Sequence, residues 1–156
     1  MIMQGLSGLS GVRKWLGVEF GEHFSPEEWA MLLIAATEAL SNCCNGGDGV
    51  VSVSGEWHEN CLTLAIRGES LERKFSQAVS GWIRGTLRDY TAMLEDEHGR
   101  GCALVLDATT EVVLSQGQLE LRFTNESLRC FANKARRLIV WCQGRQTLVL
   151  EVKDER

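Results

Sequence analysis

Three pairs of short alternating segments constrain this chain more than anything else in it. Val50 to Trp57 alternates through Val51, Val53 and Gly55, and Cys61 to Arg67 alternates through Leu62, Leu64 and Ile66, with Glu59-Asn60 between them. Glu111 to Leu114 and Gln118 to Phe123 repeat the arrangement across Ser115-Gln116-Gly117, and Leu138 to Cys142 and Gln146 to Val152 repeat it across Gln143-Gly144-Arg145. Period-two hydrophobicity on either side of a short turn predicts a hairpin, so three hairpins are expected. The segments between them carry helical spacing. Paired strands separated by helices predict an α+β two-layer sandwich, with helices on one face of a mostly antiparallel sheet.

The helices are marked unequally. Leu6 to Phe20 places Leu6, Leu9, Val12, Trp15, Leu16 and Phe20 at helical spacing, weakened by Gly5, Gly8, Gly11 and Gly17. Ser25-Pro26-Glu27-Glu28 is a strong start: Ser25 as cap, proline at the first helical position, and Glu28 where a capping-box glutamate belongs. That helix is expected from Pro26 to about Cys44, stopped by Asn45-Gly46-Gly47, with Trp29, Leu32, Leu33, Ala36 and Leu40 as its core stripe. Gly68 to Gly81 reads as polar and irregular. Trp82 to Met93 reads as a helix anchored by Trp82, Leu87, Tyr90 and Leu94, and Glu95 to Gly101 as a loop. Cys102 to Thr109 reads as a short helix with Leu104 and Val105 inward, and Asn125 as the cap of a helix over about 126–137.

At 156 residues the chain is expected to form one domain with a real core. No apolar stretch approaches the length of a membrane span, Met31 to Ala36 being typical. The first residues show no basic start followed by an apolar run, so a cytoplasmic protein without a signal peptide is expected. Cys43, Cys44, Cys61, Cys102, Cys130 and Cys142 form no Cys-x-x-Cys pair and no zinc-like spacing with His23, His58 or His98. Reduced, mostly buried thiols follow, although Cys102 at a helix start would be placed for a lowered pKa. Residues 1–78 hold five basic and ten acidic side chains, and residues 79–156 hold eleven of each. Arg122 to Arg145 has six basic residues against Glu126 alone, which suggests a solvated helix face or a dock for an acidic partner. Nucleic-acid binding is not expected from an acidic protein with only a local basic patch.

The chemistry-bearing candidate is Glu38-Ala39-Leu40-Ser41-Asn42. Residues i and i+4 share one helix face, so Glu38 and Asn42 point the same way from apolar and small surroundings. A charge there requires a partner.

With its order of elements the chain resembles the anti-sigma-factor serine kinases, a branch of the gyrase, Hsp90, histidine-kinase and MutL ATPase superfamily. The resemblance rests on Val12-Arg13-Lys14-Trp15-Leu16 with Ser25-Pro26-Glu27-Glu28, on Ala36-Thr37-Glu38-Ala39-Leu40-Ser41-Asn42 as the E-x-x-x-N helix, on His98-Gly99-Arg100-Gly101-Cys102-Ala103-Leu104 as the glycine-rich turn, and on Asp107 to Val112. It covers roughly residues 6–123 and leaves 126–152 as an extra helix and hairpin. It implies ATP and Mg²⁺ as cofactors, with Glu38 as the catalytic base and Asn42 as the ligand of hydrated Mg²⁺. Gly99, Arg100 and Gly101 would offer backbone N–H groups to phosphate. It also implies a sigma factor or anti-anti-sigma-like protein as partner, and a homodimer. Three positions depart from the family. Arg67-Gly68-Glu69-Ser70 stands where the D-x-G-x-G motif belongs, so no aspartate awaits an adenine amino group and Glu69 is off register. Gly46 replaces the basic position after Asn42. No strand is expected before the first helix; the last hairpin would supply the sheet edge. A nucleotide-free, protein-binding relative of the same fold, docking through helix 6–20 or the basic 126–137 segment, is the alternative reading.

Overall fold

The computed structural model describes residues 1–44, 49–89, 97–129 and 135–153, with 97–100 as backbone alone. Their seven strands form one sheet: β1 (Ile2–Gln4), β2 (Val50–His58), β3 (Cys61–Gly68), β4 (Glu111–Ser115), β5 (Gln118–Phe123), β6 (Ala135–Cys142) and β7 (Arg145–Lys153), in spatial order β1-β2-β3-β5-β4-β6-β7. All three expected hairpins are present. The first turns on Glu59 and Asn60, both at positive φ (50° and 62°), which is the twist a two-residue hairpin needs. Every pairing is antiparallel except β4 with β6, which runs parallel through Val112–Leu138 to Ser115–Trp141. The terminal hairpin therefore joins the main sheet as its far edge, as expected. The near edge differs from the sequence reading: Ile2 to Gln4 is a strand on β2, ahead of the first helix. A three-residue strand has no periodicity to betray it.

Alternate strand residues build one core. Val51, Val53, Leu62, Leu64, Ile66, Val112, Leu114, Leu119, Leu121, Phe123, Leu138 and Val140 are buried beneath the helices. The helices are α1 (Leu9–Phe20), α2 (Pro26–Cys43), α3 (Glu69–Arg73), α4 (Phe75–Leu87), α5 (Glu97–Ala108) and α6 (Asn125–Arg129). In α2 the capping box forms as expected: Ser25 Oγ accepts from the Glu28 N–H at 3.2 Å, and the Ser25 N–H donates to Glu28 Oε1 at 2.7 Å. Its buried stripe is Leu32, Ala35, Ala36, Ala39, Leu40 and Cys43, with Trp29 and Leu33 half-exposed. The Asn45-Gly46-Gly47 stop lies outside the described residues. Gly55 in β2 leaves room for the Phe20 ring, since a Cβ there would come within 2.7 Å of it. Gly55→Ala is expected to cost about 1–3 kcal/mol through overpacking, measurable as a lowered urea midpoint.

Four helix expectations change. Gly68 to Gly81 is not irregular but contains α3 and most of α4, which starts at Phe75 and ends at Leu87. Leu87 is exposed, not an anchor, and Tyr90 and Leu94 lie outside the described residues. The segment from Glu97 to Gly101 is helical, so α5 is twelve residues long; Val105 is buried but Leu104 only half-buried, with Leu106 taking the second inward position. The helix expected over 126–137 is described over Asn125–Arg129, and 130–134 lie outside the described residues. Arg136 and Arg137 belong to β6.

The open face of the sheet explains these arginines. Glu56, Thr63, Arg122, Glu111, Arg137 and Glu151 stand side by side across six strands in one row. Arg122 pairs with Glu111 and, at 2.9 Å, with Glu120, while Arg137 reaches Glu111 at 3.6 Å and Glu151 at 3.9 Å. Alternating signs opposite one another stabilise a sheet face. Arg136 faces the other way, buried, with its Nε–H donating to the Thr86 carbonyl at 2.9 Å. Of the basic run, Arg122 and Arg137 belong to this ladder and Arg136 is a buried strut, while Arg129 stands on α6 beside Glu28 and Lys134 lies outside the described residues.

Candidate functional site

Helix α2 places Glu38 and Asn42 one turn apart, and α5 crosses them. A Cβ built on Gly101 would lie 2.9 Å from Glu38 Oε2 and 3.1 Å from Asn42 Nδ2, so the backbone of α5 fits against the pair only because this residue is glycine. Three of the expected site residues are therefore together. Their surroundings differ from expectation. Glu38 is exposed rather than set among apolar groups, and only Asn42 is half-buried. The Nδ2 of Asn42 is out of contact with solvent and has no hydrogen-bond partner among the described residues. An unmade bond on a buried donor costs about 1–3 kcal/mol, so a partner in that direction would be stabilising.

Gly99, Arg100 and Gly101 are not a turn ahead of a helix. They are the third to fifth residues of α5, and helix geometry commits the Gly101 N–H to a carbonyl of the preceding turn. Cys102 likewise sits in the second turn, where the end charge of the helix has faded. It is buried, as are Cys43 and Cys44. Burial pushes the Cys43 thiol up to about 12, which keeps it protonated and inert.

Beside Asn42 a cavity of about 570 Å³ opens between α2, α3, α4, α5 and β5. Its apolar wall is Ala39, Leu71, Ala78, Trp82 and Leu119; Lys74 and Arg84 stand on its α4 side with Ser76, Gln77 and Ser80. No aspartate or glutamate lines it among the described residues. A space of this size with an apolar wall and a few polar groups has the character of a small-molecule pocket. Glu38 does not line it, nor does Gly101. Glu69 is exposed at the first position of α3 and turns no carboxylate into it.

The fit to ATP and Mg²⁺ divides accordingly. The volume suits a nucleotide, whereas a carboxylate acceptor for the adenine amino group is missing from the lining among the described residues. A half-turn of the Asn42 amide exchanges its nitrogen for its oxygen, so it can face an anion or a hydrated cation. Mg²⁺ accepts a site with one or two protein ligands, and among the described residues no group of three or more acidic, histidine or cysteine side chains is available to it.

Of the wall residues on α4, Trp82 lies in the expected helix, whereas Ala78 falls in the Gly68 to Gly81 segment, which reads as irregular. The signal was present. Phe75, Ala78, Val79, Trp82 and Ile83 recur at helical spacing, with Ser76, Ser80 and Arg84 along a neighbouring line. No helix among the described residues is long and apolar enough to cross a membrane. Compared with protein-family models, with curated proteins and with solved structures, the chain matches none.

Proposed function

We propose that this protein is a regulatory domain that binds an anionic, nucleotide-sized ligand in the cavity beside Asn42. Occupancy is passed to a protein partner. On the resemblance to the anti-sigma-factor kinases the ligand is Mg-ATP and the protein works as a homodimer. The observation that supports the reading is the cavity of about 570 Å³ beside an Asn42 amide whose nitrogen has no hydrogen-bond partner among the described residues. Asn42 would turn its oxygen toward the hydrated Mg²⁺, which supplies charge neutralisation of the phosphates when bound. Binding is favoured over phosphoryl transfer. The glutamate that would serve as base, Glu38, is exposed and outside the lining, and a base must reach the proton that it takes.

Wild type is expected to gain thermal stability with millimolar Mg-ATP. At a ligand concentration a hundred times Kd the gain is about 2.7 kcal/mol. Asn42→Ala should reduce the shift by more than half, and Glu38→Gln should leave it intact. The absence of any shift in the wild type would remove nucleotide from the reading. It would leave the nucleotide-free binding module, which the missing adenine acceptor favours. Sedimentation as a monomer at tens of micromolar protein would rule out the homodimer.

A further inference from the structure

We infer that two copies of this chain pair through the open face of the sheet, about a two-fold axis that runs along the strands between β4 and β6. The inference rests on the homodimer of the reading above, not on its ligand, and gives that dimer a surface.

The charge row on this face carries its own complement. Across β5, β4, β6 and β7 it reads Arg122, Glu111, Arg137, Glu151, alternately positive and negative. A two-fold axis along the strands reverses the order of the strands and keeps the level along them. With the axis between β4 and β6, each charge then comes opposite an unlike one: Arg122 opposite Glu151 of the second copy, and Glu111 opposite Arg137 of the second copy. An axis on β4 itself would set Glu111 against its own copy and Arg122 against Arg137, which repels. The ion pairs within each copy remain, because guanidinium and carboxylate groups each take several hydrogen bonds.

The adjoining row supplies an apolar centre. Val113, Ile139 and Val149 lie side by side on β4, β6 and β7, and Val149 is 44% exposed. The same axis lays Val113 against Ile139 of the second copy, twice. Glu120, which comes opposite Val149, is drawn toward the charge row by its 2.9 Å contact with Arg122. Farther along β6 on this face Trp141 is 39% exposed, and it comes opposite Ser115, which is small enough to leave room for the indole. An apolar centre with charges beside it has the make-up of a protein interface. The row Arg122 to Glu151 sums to zero charge, so it offers nothing to nucleic acid or to an anionic membrane. Pairing through the free edge is the rival, and the bulge in the last hairpin disfavours it.

Charge reversal tests the facing. The full chain would be followed by sedimentation equilibrium from about 1 to about 100 µM, which brackets micromolar dissociation constants. Wild type should pass from the mass of one chain to that of two. Glu151→Arg sets Arg122 opposite an arginine, and Arg122→Glu sets Glu151 opposite a glutamate; each should weaken pairing by about tenfold or more. Mixed in equal amounts, the two variants meet with unlike charges at every position, and dimers should return. Both side chains are well exposed, at 46% for Glu151 and 41% for Arg122, so the fold tolerates the changes. Ile139→Lys puts a charge into the apolar row, leaves the ladder untouched and should also give monomers. Wild-type dimers that persist in both charge variants and in Ile139→Lys overturn this face and leave the homodimer on another surface. Charge variants that are monomeric alone and stay so when mixed overturn the facing as well. A wild type that stays a single chain throughout overturns the homodimer and the face with it, while the ligand titration of the cavity is unaffected.

Discussion

Gly85→Val is expected to destabilise the protein by about 3 kcal/mol or more, lowering the thermal midpoint by about 6–12 °C for a chain of this length. Gly85 lies where α4 crosses α5. A Cβ there would sit 2.9 Å from the Ala103 backbone nitrogen, 2.9 Å from Cys102 Cβ and 3.1 Å from the Cys102 carbonyl carbon. Two opposing effects decide the sign. Replacing a mid-helix glycine removes a propensity penalty of about 1 kcal/mol, which favours the substitution. The obstacle is backbone belonging to another helix, however, and it yields only if α5 moves away from α4. The clash therefore wins, modestly for alanine and strongly for valine with its branched Cβ. Gly21→Ala is the informative contrast. Gly21 has ordinary helical dihedrals (φ −58°, ψ −30°) and nothing within 4 Å of an added Cβ, so it should be neutral or slightly stabilising. Equal loss at both positions in denaturant titrations would refute the crossing as the cause.

Glu28→Ala is expected to cost about 2–4 kcal/mol. The carboxylate is buried at the junction of three elements. It accepts from the Ser25 N–H at 2.7 Å and from Asn125 Nδ2 at 3.0 Å, and it meets Arg129 Nε at 3.0 Å. Asn125 Nδ2 also donates to the His23 carbonyl, at 2.9 Å, so one charge ties the α2 cap to both the turn before it and α6. Alanine removes the cap acceptor and the partner of Asn125 at once. Glutamine keeps one acceptor oxygen for the Ser25 N–H and Asn125 and loses the charge and the oxygen that Arg129 meets, so Glu28→Gln should cost less than Glu28→Ala. The Ser25 N–H holds the carboxyl below its ordinary value, against burial, which pushes it up; Asn125 and Arg129 add to the lowering. A depressed folded pKa means that the stabilisation is complete above the unfolded value near 4.5 and is lost as pH falls through the folded value. The stability difference between wild type and Glu28→Gln should therefore shrink on acidification below about pH 4.5. A difference that stays constant from pH 7 to pH 3 would show that the charge has no part in it.

What the sequence disclosed follows from how locally each element is specified. Hairpins and the α2 cap are written in adjacent residues: Ser25 and Glu28 bond one another, and Gly144 at φ 72° turns β6 into β7. The first half of α4 is obscured because the stretch from Gly68 to Gly81 is mostly polar and ends on a glycine that looks like a breaker in isolation. The packing of Gly85, inside the expected helix, comes from α5, seventeen residues away. Arg136 and Arg137 were misassigned for a similar reason. As neighbours in β6 they point to opposite faces, one under Thr86 and one onto the charge ladder, and only the register of the sheet reveals that. Of the site, the Glu38–Asn42 pair is legible as i, i+4 spacing, whereas the approach of Gly101 to it is not. The cavity itself was not, because its walls are drawn from four helices and a strand.

The parallel seam between β4 and β6 also orders the events of synthesis. β4 is placed by β5, which rests on β3, so residues up to Phe123 can complete five strands before the last hairpin has emerged. Until then β4 is a bare strand edge, carrying Val112 and Leu114 beneath it and open to whatever chain is nearest. The hairpin from Ala135 to Lys153 ends that exposure by docking Leu138 and Val140 alongside. It moves the free edge to β7, where the bulge opposite Val140 and Trp141, with Glu151 and Lys153 farther along, makes strand addition by a neighbour less favourable. The terminal segment thus serves as a protective seam against misassembly for a sheet that is otherwise finished without it.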